Sequence, residues 1–105
     1  MWDMKDNITA GHFELSAEQR QFKHMLSNYP RFSAYWDFES RCCDLESAGL
    51  DIGALSHGEQ IMLRFFAAVW LGENALNFDL IEATRVLDDN NLDDIRQWLA
   101  NPVFP

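Results

Sequence analysis

The sequence lacks a long apolar stretch and contains little cysteine, and both absences limit what the protein can be. The longest mostly apolar segment, residues 61–71, is interrupted by Arg64 and falls short of the roughly 20 residues that span a bilayer. The two cysteines, Cys42 and Cys43, are adjacent, so they are poor partners for an ordinary disulfide and favour a reducing compartment. The N-terminal residues mix acidic and basic side chains, where a secretory signal would need a basic start and an apolar run. We therefore predict a cytoplasmic protein with no membrane partner.

Sequence motifs for catalysis and for cofactor binding are also missing. The five glycines never approach the spacing of a phosphate-binding loop. The three histidines, His12, His24 and His57, lie at no zinc-site spacing with the two cysteines. A cysteine in an apolar helical segment is more often a small core residue than a nucleophile. We therefore predict that the protein is not an enzyme and holds no cofactor or metal ion; a small hydrolase with no identifiable site is the least supported alternative.

The acidic run at residues 88–94 is the most suggestive local feature, because oxygen-rich loops can bind calcium. Counted from Asp89, oxygen ligands fall at the first, third and fifth positions, as in an EF-hand loop. The sixth position is Asp94 where glycine is needed, and the twelfth is Ala100 where a bidentate glutamate is needed, so the match fails. Three interpretations stay open: helix caps in a solvated turn, which we favour, a weak cation site, or an acidic surface that binds a partner.

Basic residues are few: the chain contains 17 aspartates and glutamates but only 8 lysines and arginines, so its formal net charge is −9. Residues 1–36 are balanced, so residues 37–105 carry the entire excess, with 13 acids against four arginines. A charge of this sign and size keeps small domains dispersed in solution. It also repels the nucleic-acid backbone and attracts basic protein surfaces. We therefore predict no direct nucleic-acid binding and, if the charge is functional, a basic partner.

The length and the hydrophobic pattern predict one all-α domain. A chain of 105 residues has the usual size of a single domain with one core. The predicted architecture over residues 1–105 is a compact bundle of about five helices around a central apolar helix at residues 57–71, with an irregular N-terminal arm at residues 1–15. In the central helix only Arg64 interrupts the apolar residues that follow Ile61. We expect its buried side chains to be Ile61, Met62, Phe65, Phe66, Val69 and Trp70.

Capping residues place the five predicted helices along the chain. Ser16 with Gln19, and Ser56 with Glu59, have the spacing of a capping box. The predicted helices are residues 17–28, 32–48, 57–71, 80–87 and 92–100, with Gly49 and Gly72 as left-handed stops and Asp79 and Asn91 as N-caps. The second helix is inferred from apolar residues three and four positions apart, namely Phe32, Tyr35, Phe38, Cys42 and Leu45.

Two stretches of the second half of the chain resemble a pattern in small uncharacterised proteins of bacterial plasmids and phages. The first runs from Leu55 to Gln60 and leads to Trp70-Leu71-Gly72, and the second is Val86 to Asn91. The resemblance consists mostly of helix-cap and core positions. It implies a bacterial or phage origin and an accessory role, and it brings no catalytic or binding residue with it.

The first functional hypothesis combines this resemblance with the charge. It describes a non-catalytic acidic protein that binds a basic surface of a larger, nucleic-acid-binding partner and blocks it, as a phage- or plasmid-borne inhibitor of the anti-CRISPR or DNA-mimic type. Carboxylates on a rigid helical frame would occupy lysine and arginine sites that phosphates otherwise use. The candidate partner-binding residues are Asp44, Glu46, Asp51, Asp79, Glu82, Asp88, Asp89, Asp93 and Asp94.

The second hypothesis is a structural or assembly factor that acts through apolar contacts. Aromatic residues often anchor interfaces, and Trp2, Trp36, Trp98 and Phe104 lie near segment ends or at the edges of apolar stripes. In this case the chain would form a homodimer through Trp98, Val103 and Phe104. Ordinary core packing of the same side chains is the favoured interpretation.

Overall fold

The computed structural model describes residues 13–105, and within them the protein is mostly helical. The five α-helices are α1 (Ala17–Leu26), α2 (Leu45–Asp51), α3 (His57–Leu71), α4 (Leu80–Val86) and α5 (Asp89–Ala100). Two 3-10 helices, Pro30–Tyr35 and Ile52–Ala54, and a two-stranded antiparallel sheet of β1 (Trp36–Asp37) and β2 (Cys42–Cys43) complete the fold. Residues 1–12 of the predicted arm lie outside the described residues. Within residues 13–105, no helix combines the length and the hydrophobicity needed to cross a membrane.

Helix α3 has the bounds and the caps that the sequence predicts. The Ser56 side chain accepts the Glu59 amide while the Glu59 side chain accepts the Ser56 amide, which completes the capping box. The helix ends at Gly72, whose φ of 70° lies in the left-handed region that favours glycine. The same capping box forms between Ser16 and Gln19 at the start of α1. Both capping boxes form between residues three positions apart, so the sequence alone predicts them.

The core is built from α3 and the aromatic side chains that pack against it. Eight residues of α3 are buried, including all six that were expected to be. Phe66 is fully buried and makes edge-to-face contacts with Phe22 of α1 and Tyr29, at ring-centroid distances of 5.7 and 5.3 Å. Phe22 in turn contacts Trp36 and Trp70 at 5.5 and 5.4 Å. One aromatic network thus joins α1, β1 and α3.

The predicted second helix, residues 32–48, is wrong. Pro30 starts a 3-10 helix, in which Phe32 and Tyr35, three residues apart, fall on one side because there are three residues per turn. The chain then forms a hairpin, with Trp36 paired to Cys43 and Asp37 paired to Cys42. Only the last part of the predicted segment is α-helical.

Side-chain hydrogen bonds explain why the hairpin replaces a helix. The Asp37 carboxylate accepts the backbone N–H groups of Glu39 and Ser40, at 3.1 and 3.4 Å, which closes a turn. Arg41 then takes a positive φ of 55°, which an α-helix cannot accommodate. Cys42 and Cys43 therefore lie on a strand rather than on the apolar stripe of a helix, and Cys42 is exposed.

Two further boundaries differ from the prediction by three residues, while α1 and α4 end within two residues of their predicted ends. Gly49 does not stop a helix, because α2 begins at Leu45, passes through Gly49 and ends at Asp51. Helix α5 begins three residues earlier than predicted, since Asp88 rather than Asn91 is its N-cap. Asp88 and Asn91 are both good capping residues, so the sequence alone does not distinguish the two starts. Asn91 instead lies 2.8 Å from the Tyr29 hydroxyl.

We predict that Phe66→Asp unfolds the protein. The change removes a fully buried ring and places a carboxylate among aromatic side chains, and loss of a buried Phe side chain alone costs about 3–5 kcal/mol. That cost is a large share of the roughly 5–15 kcal/mol that stabilises a typical domain. Circular dichroism and a thermal melt measure the outcome.

The matched control is Leu50→Asp, which introduces the same charge on α2 at a side chain that is 78% exposed. It should melt close to wild type, because surface substitutions usually change stability by less than about 0.5 kcal/mol. Wild-type melting of Phe66→Asp would contradict the packing described above.

Candidate partner-binding surface

The nine candidate acids lie on three helices and form two groups. Asp44, Glu46 and Asp51 are on α2 or at its ends and are called the α2 acidic group. The α4–α5 acidic group contains the six others, namely Asp79, Glu82, Asp88, Asp89, Asp93 and Asp94. Residues 79–94 contain six carboxylates and a single lysine or arginine, Arg85.

Three of the nine acids are helix N-caps, so they hold the fold as well as carrying charge. Asp79 Oδ1 accepts the backbone N–H groups of Ile81 and Glu82, at 2.9 and 3.2 Å. Asp88 Oδ1 accepts the Asn91 N–H at 2.9 Å. In both caps the second carboxylate oxygen has no hydrogen-bond or ion-pair partner among residues 13–105. Each cap thus fixes a carboxylate in place and leaves one oxygen able to accept from a partner.

Asp44 differs from the other two caps, because both of its oxygens are used. They accept the backbone N–H and the hydroxyl of Ser47, at 3.1 and 2.8 Å. These hydrogen bonds to the ionised form lower the pKa of the Asp44 carboxyl. Asp44 is therefore a charged cap with little free acceptor capacity.

Asp94 is the least available acid of the α4–α5 acidic group. It is half-buried, and one of its oxygens lies 2.9 Å from the Tyr29 hydroxyl. Burial raises the pKa of the Asp94 carboxyl, although the hydrogen bond from Tyr29 opposes that shift. Burial and the neighbouring Asp94 also raise the pKa of Tyr29, so the hydroxyl stays protonated and donates. The pair ties α5 to the segment that follows α1.

A second tyrosine makes the equivalent contact with the α2 acidic group. The Tyr35 hydroxyl donates to Asp51 Oδ2 at 2.7 Å, and this hydrogen bond is the main reason that the pKa of Tyr35 is raised. Tyr29 is the N-cap and Tyr35 the last residue of the 3-10 helix Pro30–Tyr35, whose rise of about 2 Å per residue separates them by roughly 12 Å along the axis. One acid of each group is therefore tied to one end of the same short segment.

Basic side chains pair with some of the acids, but only loosely. Arg96 lies 3.7 Å from Asp89 and 3.9 Å from Asp93, and Asp89 is 97% exposed. Ion pairs of this kind are worth only about 0–1 kcal/mol in water, so a partner's arginine could replace them. Glu82 is more engaged, with His57 Nε2 at 3.0 Å and Arg64 at 4.0 Å. Glu46 is exposed and has no such partner among the described residues.

An apolar groove runs between α3, α4, α5 and the C-terminal residues. It has a volume of about 310 Å³ and is lined by Phe65, Phe78, Leu80, Trp98, Leu99 and Phe104, among others. The Trp98 indole N–H donates to the Val103 carbonyl at 2.9 Å, which holds the C-terminal residues against α5. Phe104 stacks edge-to-face on Trp98 and remains 63% exposed. The groove thus presents apolar surface at the edge of the α4–α5 acidic group.

The remaining sequence candidates for chemistry are not brought together. Within residues 13–105, no three His, Cys, Asp or Glu side chains converge as metal ligands would. Burial raises the pKa of the Cys43 thiol to about 11, so it is protonated at neutral pH and a poor nucleophile. Trp36 is buried in the core, while Trp2 lies outside the described residues.

Sequence reasoning missed one cluster because it depends on the hairpin. The hairpin brings Arg41 over the Trp70 ring, 5.1 Å from its centroid, while Arg41 Nε donates to the Pro105 carbonyl at 3.1 Å. On the other side, Lys23 Nζ lies 5.9 Å from the centroid of Phe38. Two basic residues therefore flank the aromatic network. The spacing of these residues in the sequence gave no signal for either contact.

Comparison with protein-family models, with curated proteins and with solved structures finds no match to this chain. No function can therefore be carried over from a relative.

We predict that Asp88→Ala destabilises the protein whereas Asp88→Asn does not. Alanine removes the acceptor for the Asn91 N–H and should lower the free energy of unfolding by about 1 kcal/mol. Asparagine caps helices as well as aspartate does, so it keeps this hydrogen bond while removing the charge. Urea denaturation of the two variants measures the difference. Equal stabilities would show that the cap contributes nothing.

Proposed function

We propose that this chain is a non-catalytic acidic protein that binds a basic surface of a larger, nucleic-acid-binding protein and blocks it. The observation that carries the proposal is the α4–α5 acidic group: residues 79–94 contain six carboxylates and one arginine, and the arginines of neighbouring segments pair with these acids only at 3.7 Å or more. Such a density of one sign attracts lysine- and arginine-rich surfaces over several ångströms and raises the rate of association. The concrete form is a phage- or plasmid-borne inhibitor of the anti-CRISPR or DNA-mimic type.

The geometry of the caps supports this proposal. Asp79 and Asp88 are held by backbone N–H groups through one oxygen, so the other oxygen is oriented before any partner arrives. Acceptors that are already oriented lose little conformational entropy on binding. Asp89 and Asp93 extend the same charge along the exposed side of α5. A basic partner would therefore meet both fixed and adaptable carboxylates.

The proposal includes the frame that carries these acids. We infer that α3 is the central helix of a compact bundle, with α4 and α5 as acidic outer helices. Contacts of α3 with both helices support this arrangement, since a Cβ added at Gly58 would lie 3.6 Å from Leu87 Cδ2 at the end of α4, and Phe65 packs edge-to-face on Trp98 of α5. A rigid frame of this kind keeps the carboxylates at constant separations.

The test must remove charge without removing caps. Replacing all of Asp88, Asp89, Asp93 and Asp94 by lysine would also delete the α5 cap and the Tyr29 contact, so a loss of binding would be ambiguous. The triple change Asp79→Asn, Asp88→Asn and Asp89→Asn keeps both caps and removes three charges. We expect it to abolish capture of a basic nucleic-acid-binding protein from nuclease-treated bacterial lysate, and wild-type capture should be lost as the salt concentration rises.

The matched control removes three charges elsewhere on the chain. Glu18, Glu39 and Glu73 are exposed, and their replacement by glutamine changes the net charge equally. We expect this control to capture the same partner with only a small loss. If both triple variants bind alike, the net charge matters and the α4–α5 acidic group does not. Capture that persists in high salt would exclude the electrostatic mechanism.

A second candidate function, a homodimeric assembly factor, is favoured by the apolar groove. Leu99 and Phe104 are 53% and 63% exposed beside it, and apolar side chains at this exposure are typical of interfaces. The dimer would bury Trp98 and Phe104 of both copies. High salt would not weaken such a contact, since apolar association does not depend on charge screening.

We predict that, if the dimer exists, Phe104→Ser dissociates it. This change is preferable to removing the last four residues, because it keeps the Val103 carbonyl that accepts from Trp98 and the Pro105 carbonyl that accepts from Arg41. Light scattering at high salt gives the mass of each form. A wild-type monomer at high protein concentration would exclude this second function and leave the acidic mechanism untouched.

A further inference from the structure

The apolar groove between α3, α4, α5 and the C-terminal residues lies at the C-terminal ends of two helices. Gly72, which caps α3, lines the groove, and so do Trp98 and Leu99 in the last turn of α5. The C-terminal end of a helix carries a partial negative charge, which a basic side chain in the last turn offsets. The last turns of α3 and α5 contain no basic residue. Two partial negative charges therefore lie beside the groove.

Glu73 adds a full negative charge at the same place. It directly follows the α3 cap, lines the groove and is exposed, and its carboxylate has no hydrogen-bond or ion-pair partner among residues 13–105. The neighbouring Asn74 side chain is already used, because it donates to the Phe78 carbonyl and accepts the Phe78 N–H, at 2.9 and 2.6 Å. The Trp98 indole N–H is used by the Val103 carbonyl. Glu73 is thus the polar side chain of the groove that is available to a partner.

The apolar part of the groove is accessible from solvent. Leu80, Leu99 and Phe104 belong to its lining and are 44%, 53% and 63% exposed. Its volume of about 310 Å³ is at the lower end of the range for ligand pockets, so it suits a large side chain better than a whole helix. Removing this apolar surface from water would stabilise a complex.

The groove itself contains no cation. Among the described residues, no lysine, arginine or histidine belongs to its lining. Arg41 lies over the ring of Trp70 near the end of α3, but it is outside the lining and its Nε donates to the Pro105 carbonyl. Exposed apolar surface and negative charge are therefore combined in one place. The occupant that suits both has a large apolar side chain next to a lysine or arginine.

Charge argues against a second copy of the chain as the occupant. A two-fold symmetric contact places the same surface on both sides, so the Glu73 carboxylates of both copies would lie in one interface. Like charges that face each other in a contact cost free energy, and each copy carries a net charge of −9. A basic partner would pair with the same groups.

We propose that the apolar groove binds a basic segment of the partner protein, with a large apolar side chain packed against Leu99 and Phe104 and a neighbouring lysine or arginine paired with Glu73. The inference rests on the proposed function, because it takes the partner to be basic. The α4–α5 acidic group attracts the partner by charge, and the groove adds a contact that recognises an apolar side chain.

The experiment is an NMR titration of the ¹⁵N-labelled full chain with an unlabelled peptide of four lysines and four leucines. One matched peptide replaces the leucines by glycine and keeps the charge, and the other replaces the lysines by glutamate and keeps the leucines. The lysine–leucine peptide should shift the amides of Gly72 and Phe104 and the indole N–H of Trp98 to saturation. The lysine–glycine peptide should shift only amides at the start of α5, such as that of Asp89, and the glutamate–leucine peptide should shift none of them.

Two variants test the two parts of the contact. Leu99→Ser should weaken binding of the lysine–leucine peptide about tenfold, because it removes apolar surface from the groove. Its control is Leu50→Ser, a change on α2 outside the groove, which should bind like wild type. Glu73→Gln should weaken binding about two- to fivefold, as expected for an exposed ion pair. Its control is Glu39→Gln, which removes the same charge from the hairpin and should bind like wild type.

The different failures can be distinguished. Shifts confined to the start of α5 with both lysine peptides would overturn the groove contact and leave the proposed function intact. No shift with either lysine peptide would contradict the proposed function as well. Equal shifts with the glutamate–leucine peptide would show that the groove does not select a basic segment. A wild-type dimer in light scattering that the lysine–leucine peptide does not dissociate would place a second copy in the groove.

Discussion

The fold depends on the burial of the aromatic side chains that meet at Phe66 and Phe22. Phe66 brings α3 into contact with the residues after α1, and Phe22 connects α1 to Trp36 of β1 and to Trp70 near the end of α3. Each contact is worth only about 0.5–1.5 kcal/mol beyond its buried area, but every ring shares neighbours with the others. The hairpin has only two residues in each strand, too few to be stable alone. It is held because Trp36 belongs to this network.

In this protein the same aspartates contribute negative charge and cap helices. Helices α2, α4 and α5 all begin with an aspartate cap, and α2 and α4 have only seven residues each. Short helices are marginal without tertiary contacts, so a cap worth about 1 kcal/mol matters more to them than to α3. The acidic excess is therefore partly a consequence of how these helices start. Replacing aspartate with an uncharged capping residue such as asparagine therefore separates the charge from the cap.

The sequence predicts well what depends on neighbouring residues and poorly what depends on distant ones. Helix α3, its capping box and its stop at Gly72 all follow from residues within a few positions of each other. The prediction of one helix over residues 32–48 is wrong because Phe32 and Tyr35 suit a 3-10 helix as well as an α-helix. The turn at Asp37 and the packing of Trp36 favour the 3-10 helix followed by the hairpin. The sequence shows only the charge of the nine candidate acids, whereas their separate roles follow from the hydrogen bonds and ion pairs that each one makes.

The acids differ in how many of their carboxylate oxygens remain available to a binding partner. Asp44 and Asp94 contribute to the electrostatic field but offer little to contact, because Ser47 and Tyr29 already occupy them. Asp79 and Asp88 each offer one oriented oxygen, and Asp89 is almost fully exposed. Long-range attraction depends on the sum of all these charges and is screened over about 8–10 Å, whereas specificity depends on close, directed hydrogen bonds. Engaged carboxylates would therefore speed the encounter with a basic partner, and the open oxygens of α4 and α5 would decide which partner stays bound.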